Sequence, residues 1–205
     1  MNIRNKRVYK INSVEKIKEK LFFWGKLYQP VVWLDSNHYP HQEMEYDAIL
    51  AVGLASNEQF VFSSDKLNLK INKDWLFGYF SYEKKSKWNH IQQNKHLPFN
   101  CHDLCFFIPE KIWLLKSNKL TALYFSDDNS EDDFNSILNQ KNVFKDLKIS
   151  NGINSRITKS EYLNNASKIK NHILRGDIYE VNYCFEYYAE DINLNSANLF
   201  YKLNK

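Results

Sequence analysis

Glycine and proline are scarce in this chain, at five and four of 205 residues, against usual shares of about 7% and about 5%. The five glycines, Gly25, Gly53, Gly78, Gly152 and Gly176, stand far apart. Neither a phosphate-cradling P-loop nor the glycine fingerprint of a dinucleotide-binding turn can be assembled from them. Three cysteines, Cys101, Cys105 and Cys184, form a sparse, odd set that suits a reducing compartment, and a cytoplasmic protein is expected. No apolar run approaches the ~18 residues a membrane helix needs, and Met1 to Lys10 is basic and polar without the apolar core of a secretory signal. Neither sign of charge dominates: 28 Lys+Arg against 24 Asp+Glu leave +4, which neither demands nor excludes an anionic partner. What remains is a globular composition, 43% hydrophobic and 25% charged, in a chain long enough to bury roughly 70% of its unfolded surface without a metal or disulfide.

Hydrophobic spacing divides the chain into two regions. Ser13 followed by Val14, Ile17, Leu21 and Trp24, then Gly25, predicts a capped amphipathic helix. Short apolar or alternating runs follow: Val31 to Leu34, Tyr46 to Val52, Gln59 to Phe62, Lys66 to Ile71, Trp75 to Tyr82, Leu104 to Ile108, Lys111 to Leu115 and Leu120 to Phe125. Each reads as a strand, with a turn at Pro109-Glu110 between the sixth and seventh. Ser130 is placed as the cap of a helix carrying Phe134, Ile137 and Leu138, and Lys145 to Ser155, without apolar period, as a linker. Residues 1–150 are therefore expected to form a strand-rich region and 156–205 a second domain. In the second, Thr158-Lys159-Ser160-Glu161 is a capping box. The helix it opens runs to Gly176, and Ile178 to Ala189 alternates as a strand with Tyr179, Val181, Tyr183, Phe185 and Tyr187 on one face. A last helix starts at Ser196. Its two to three turns need a packing partner, and a fragment of a longer protein is expected.

Candidate chemistry is thin on residue types alone. Cys101-His102 and Cys105, with His90 and His96 upstream, have one zinc-compatible spacing but no second ligand pair to complete a tetrahedron. Cys105 in an apolar run acts as a small hydrophobe. The acidic run Asp127, Asp128, Glu131, Asp132, Asp133 lacks the glycine and closing glutamate of a calcium loop, and carboxylates at a helix start are explained by the helix dipole. Lys84, Lys85 and Lys87 beside Trp88 have the ingredients of a single-strand nucleic-acid patch, yet most aromatics sit at strand spacing and belong to a core. No nucleophile-elbow or Cys-His signature occurs. The expectation is no metal site, no nucleic acid and no membrane.

The string Gly176-Asp177-Ile178-Tyr179-Glu180-Val181-Asn182, with the helix before it, resembles the opening of the chorismate-binding domain found in component I of aminodeoxychorismate (para-aminobenzoate) synthase and of anthranilate synthase. Glu180 stands where relatives commonly carry Gln. Two further stretches agree in order: Trp33-Leu34-Asp35-Ser36 followed by Tyr46-Asp47-Ala48-Ile49, and Trp75 to Glu83 around Gly78-Tyr79, with Ser81 where a Gly is common. The resemblance spans about residues 10 to 205 and leans toward the aminodeoxychorismate branch.

It implies an α+β fold, part of a large two-sheet α/β sandwich with helices, here truncated. It further implies conversion of chorismate and ammonia to 4-amino-4-deoxychorismate for folate biosynthesis. A glutamine amidotransferase partner supplies the ammonia, magnesium is held by glutamates, and a lysine acts covalently. The resemblance puts those glutamates and that lysine outside this chain, so no catalytic or metal-binding residue is assigned here and the chain alone is expected to be inactive. One non-catalytic site does reach into it: Ser36 and Tyr46 match two walls of a tryptophan pocket, with Glu43 and Glu45 where relatives place an aromatic and a basic residue. Alternatives are a fragment of anthranilate synthase component I, or a non-catalytic module that binds an aromatic amino acid.

Overall fold

A computed structural model describes residues 4–39, 45–70, 74–81, 102–125, 129–141, 152–190 and 192–204. The chain divides into two compact units, Met1–Val143 and Phe144–Lys205.

The first unit is built on a five-stranded antiparallel sheet. Its strands are β1 (Asn5–Lys10), β2 (Val31–Asp35), β3 (Ala48–Leu54), β6 (Pro109–Lys116) and β7 (Lys119–Tyr124), in the order β1-β7-β6-β3-β2. Sheet and helices together have the expected mixed α and β character. Alternation along each strand sends residues to opposite faces. One face carries Leu50, Val52, Trp113, Leu115, Leu120, Ala122 and Tyr124. It is covered by α1 (Val14–Gly25), through Ile17, Leu21 and Trp24, and by Ile137 of α3 (Ser130–Leu138). The helix period of α1 is thus used as expected, and the Ser13 hydroxyl accepts from the Lys16 amide. The side chain of Lys20 donates to the Leu138 carbonyl at the end of α3.

On the same face a polar knot is sealed among aromatic rings. Lys111 Nζ donates to Asp133 Oδ2 at 2.8 Å and Tyr124 donates its hydroxyl to the same oxygen at 2.7 Å. Burial alone would lower Lys111, but the hydrogen bond and charge of Asp133, then those of Tyr28, outweigh it and hold the ammonium above its usual range. Burial, then Asp133, pushes the Tyr124 phenol far up, so it stays a neutral donor.

The opposite face presents Val32, Ile49, Ala51, Ile112, Leu114 and Leu123. A two-stranded sheet of β4 (Phe77–Phe80) and β5 (Leu104–Phe107) lays Phe77 and Phe107 on its middle. Gly78 is required there: a Cβ would stand 2.0 Å from the Cys105 carbonyl oxygen and 2.7 Å from Phe106 Cα. A small cluster of Val61, Leu67 and Leu104 lies beside it, under α2 (Ser64–Asn68).

Four expectations for the first unit are corrected. Leu67, Leu69 and Ile71 predict a strand over 66–71; the described part is α2, because Ser63 accepts from the Lys66 amide and starts a helical turn. Three apolar residues are too few to separate the two periods. Gln59 to Phe62 makes only an isolated bridge, Val61 with Phe106. Pro109-Glu110 is no turn but the start of β6, where a residue lacking an amide hydrogen is tolerated; β5 and β6 enter different sheets. Ser130 is not the cap but the first residue of α3, fully buried, its Oγ 2.8 Å from the Tyr9 hydroxyl. One strand has no counterpart in the sequence reading: Asn5–Lys10 pairs along its whole length with β7.

In the second unit, α4 (Lys159–Leu174) opens with the expected capping box: Thr158 Oγ1 accepts from the Glu161 amide, and Glu161 accepts from the Thr158 amide at 2.7 Å. It closes at Gly176, φ +80°, where the Asp177 amide donates to the His172 carbonyl. The expected strand over 178–189 shrinks to β9 (Tyr187–Tyr188), paired with β8 (Asn154–Ser155). A ladder needs a partner for every residue, and β8 supplies only two. Tyr183 and Phe185 instead pack on Tyr162 of α4, each ring pair 5.2 Å apart. The last helix, α5, spans Ser196–Leu203. No helix among the described residues is long and apolar enough to cross a membrane.

Candidate functional site

The two residues singled out for a ligand pocket sit at the open ends of β2 and β3. Ser36 continues the β2–β3 ladder by one step, its amide donating to the Asp47 carbonyl at 3.1 Å and its carbonyl accepting from the Tyr39 amide at 2.9 Å. The turn beyond is capped by Asp35, whose Oδ1 accepts from the Asn37 amide at 2.9 Å. That same oxygen holds Lys18 of α1 at 2.8 Å. The main chain of Ser36 is thus committed to strand and turn.

Tyr46 takes a different environment. It packs on the second face of the large sheet and lines a cavity of about 630 Å³. Burial pushes its hydroxyl up from the usual phenol range, and the hydrogen bond and charge of Glu45 add to that. The cavity floor is Leu114 and Leu123, with Trp75 as a second aromatic wall. Its polar rim is the hairpin turn Ser117-Asn118 together with Lys6, Lys116 and Lys119. The Ser117 amide donates to Asp47 Oδ2 at 2.5 Å, which ties this turn to the end of β3 where Tyr46 emerges. Ser36 is not among the lining residues.

The structure therefore joins Tyr46 to groups that the sequence pattern leaves unconnected. That pattern puts Trp75 in a strand and assigns Lys6 to no element. The alternation Lys6, Val8, Lys10 against Arg7, Tyr9 is the available signal for β1. Cavity-lining groups on strands distant in sequence leave no local motif.

Glu43 lies outside the described residues, as do Lys84, Lys85, Lys87, Trp88, His90, His96, Cys101, Asp127 and Asp128. Cys105 is half-buried on β5, and burial raises its thiol. Asp133 of the acidic run points inward to Lys111 and Tyr124. Among the described residues no three His, Cys, Asp or Glu side chains stand close enough to hold a metal ion.

The Gly176-Asp177 corner of the second unit carries a polar cluster. Asp177 Oδ2 lies 2.7 Å from His172 Nδ1 and accepts from Arg175 Nη2 at 2.7 Å. All three side chains are about half exposed, and they brace the end of α4 where the most specific sequence string begins.

Compared with known protein families, residues 30–205 match the model described as chorismate binding enzyme. The match takes in both Tyr46 and the string Gly176–Asn182. No curated protein matches the chain.

Proposed function

The chain belongs to the chorismate-binding enzyme family, and on that premise we propose that it is the N-terminal portion of an aminodeoxychorismate synthase component I. The observation that carries the reading is the family match over residues 30–205, within which the helix, the Gly176 corner and the string Asp177 to Asn182 fall in the family's order. The wording Asp177-Ile178-Tyr179-Glu180-Val181-Asn182 and Leu34-Asp35-Ser36 favours the aminodeoxychorismate branch over the anthranilate one.

In this reading the parent enzyme replaces the C4 hydroxyl of chorismate by an amine from ammonia, releasing water. A glutamine amidotransferase subunit delivers the ammonia. The first unit is scaffold: a sheet stiffened on one face by α1 and α3. The second unit contributes the opening helix of the chorismate-binding domain. None of the described residues is assigned to catalysis or to magnesium.

The test is to incubate the purified chain with chorismate, ammonium and magnesium, alone and with the catalytic half of a family member, and to identify the product chromatographically. No consumption by the chain alone and 4-amino-4-deoxychorismate in the paired reaction are expected. Anthranilate as product overturns the branch. Turnover by the chain alone overturns the assignment of chemistry to residues elsewhere.

A further inference from the structure

The five-stranded sheet has two edges, β1 and β2, and they differ in chemistry. Hydrogen bonding alternates along an antiparallel pair, so every second residue of an edge strand turns its amide and carbonyl away from the sheet. The Ser36 amide donates to the Asp47 carbonyl and the Pro30 carbonyl accepts from the Gly53 amide, at the two ends of the β2–β3 register. The even-numbered residues of β2 therefore face β3, and Val31, Trp33 and Asp35 present three amides and three carbonyls outward. Among the described residues none of these six groups has a partner. On β1, Ile11 donates to Asn118 one step beyond the β1–β7 register, so the outward residues there are Lys6, Val8 and Lys10. Lys10 also stands opposite Lys119, and Lys119 opposite Lys116. β1 thus carries the lysines that keep an edge from pairing. β2 carries no such guard: Val31 to Leu34 are uncharged, Val31 and Leu34 are 44% and 50% exposed, and the Asp35 carboxylate is held by Lys18 at 2.8 Å.

We propose that a second copy of this chain adds its own β2 to this edge, antiparallel about a two-fold axis through Trp33, joining the two five-stranded sheets into one. In that register Trp33 exchanges two hydrogen bonds with Trp33 of the second copy, Val31 two with its Asp35, and Asp35 two with its Val31. All six outward groups of each copy are satisfied at once, because the open residues are centred on Trp33. A slip of two residues leaves one open residue of each copy unpaired. Charge agrees with the axis: each Asp35 meets a Val31, and the two carboxylates stand at opposite ends. The same axis on β1 would set Lys6 against Lys10 at both ends, and like charges directly opposite destabilise a sheet. On the face away from α1, Val32 meets Leu34 of the second copy, an apolar cross-strand pair. Pairing β2 with β2 is isologous and closes as a dimer. A five-residue strand is a small contact, so a dimer half formed at about 10–100 µM is expected. The inference rests on strand register and charge, not on the chorismate reading, and failure of one leaves the other standing.

Sedimentation equilibrium of the 205-residue chain from about 5 to about 500 µM tests it, with amide hydrogen exchange read at both ends of that range. A monomer–dimer equilibrium is expected, with nothing larger. The amides of Val31, Trp33 and Asp35 should exchange about fivefold more slowly in the concentrated sample, while those of Val32 and Leu34, bonded to β3 in either state, change less. Val31→Pro removes an outward amide at the first residue of the strand, where proline is tolerated. It takes two hydrogen bonds from the dimer and should weaken association about tenfold. Val8→Pro does the same to β1 and should leave association as in the parent. Leu34→Lys, at an exposed position, should also weaken association and keeps the test decisive should Val31→Pro fail to fold. A chain still monomeric at about 500 µM, species larger than a dimer, folded β2 variants that associate as the parent does, or loss of association in Val8→Pro would each overturn the proposal. Protection of Val31, Trp33 and Asp35 that arises only when the catalytic half of a family member is added would give the edge to that half and overturn it as well.

Discussion

Single residues with no freedom to move anchor the first unit. Lys111 and Asp133 are held in a shell of Trp24, Tyr28 and Tyr124 rings, with side chains 9% and 14% exposed. Removing one partner strands the other's charge, at about 3–5 kcal/mol, whereas replacing both by apolar residues recovers most of that loss. Lys111→Met alone should therefore lower the urea midpoint sharply, and Lys111→Met with Asp133→Leu should restore much of it. The folded lysine titrates above its ordinary value of 10.5. Its contribution is whole below that value and is lost as pH rises through the folded one, so stability should be insensitive to this pair near neutrality and fall in strong base. Gly78 is constrained in another way. Its missing Cβ makes room for backbone, which cannot swing aside, so Gly78→Ala should cost about 1–3 kcal/mol. Denaturant midpoints check this, and an unchanged midpoint would refute the close packing of β4 on β5.

Helices and strands obey their local chemistry where a terminus or a long period writes it. Thr158 and Glu161 cap α4 as their spacing requires. Thr158→Ala should loosen the first turn by about 1 kcal/mol, seen as about fivefold faster amide exchange there. Glu161 is held below its ordinary carboxylate value of 4.5 by the Thr158 amide and hydroxyl. Its capping contribution is present above 4.5 and lost as pH falls through the lowered value, so first-turn protection should decline only in acid. Short alternating runs are less legible. Tyr179 to Tyr187 has the strand period, but a period states only which face is apolar; a strand also needs a neighbour's amides and carbonyls, and those depend on segments far away in sequence. Asn5–Lys10 escapes sequence reading for the converse reason, since it carries few apolar residues and gains its place by pairing with β7.

Burial is unevenly shared between the two units. β3 and β6 are buried on both faces at the centre of the five-stranded sheet, whereas α4 has no buried residue and leaves Leu163 and Leu174 exposed. Opening free energies follow buried contacts, so hydrogen exchange should be slowest in β3 and β6 and faster by orders of magnitude along α4. Equal protection in both would mean that α4 is covered in solution. The capped starts of α1 and α4, the apolar strands β2, β3, β6 and β7 and the string that marks the chorismate-binding family follow from residue order, because caps, periods and motifs are written over a few consecutive positions. Residue order did not reveal that Lys10, Lys119 and Lys116 stand in one row, that Asp133 turns inward to Lys111, or that Tyr46 lines a cavity while Ser36 does not. Each of these depends on strand register and on helices packed across tens of residues, and antiparallel pairing brings together side chains that no local pattern records.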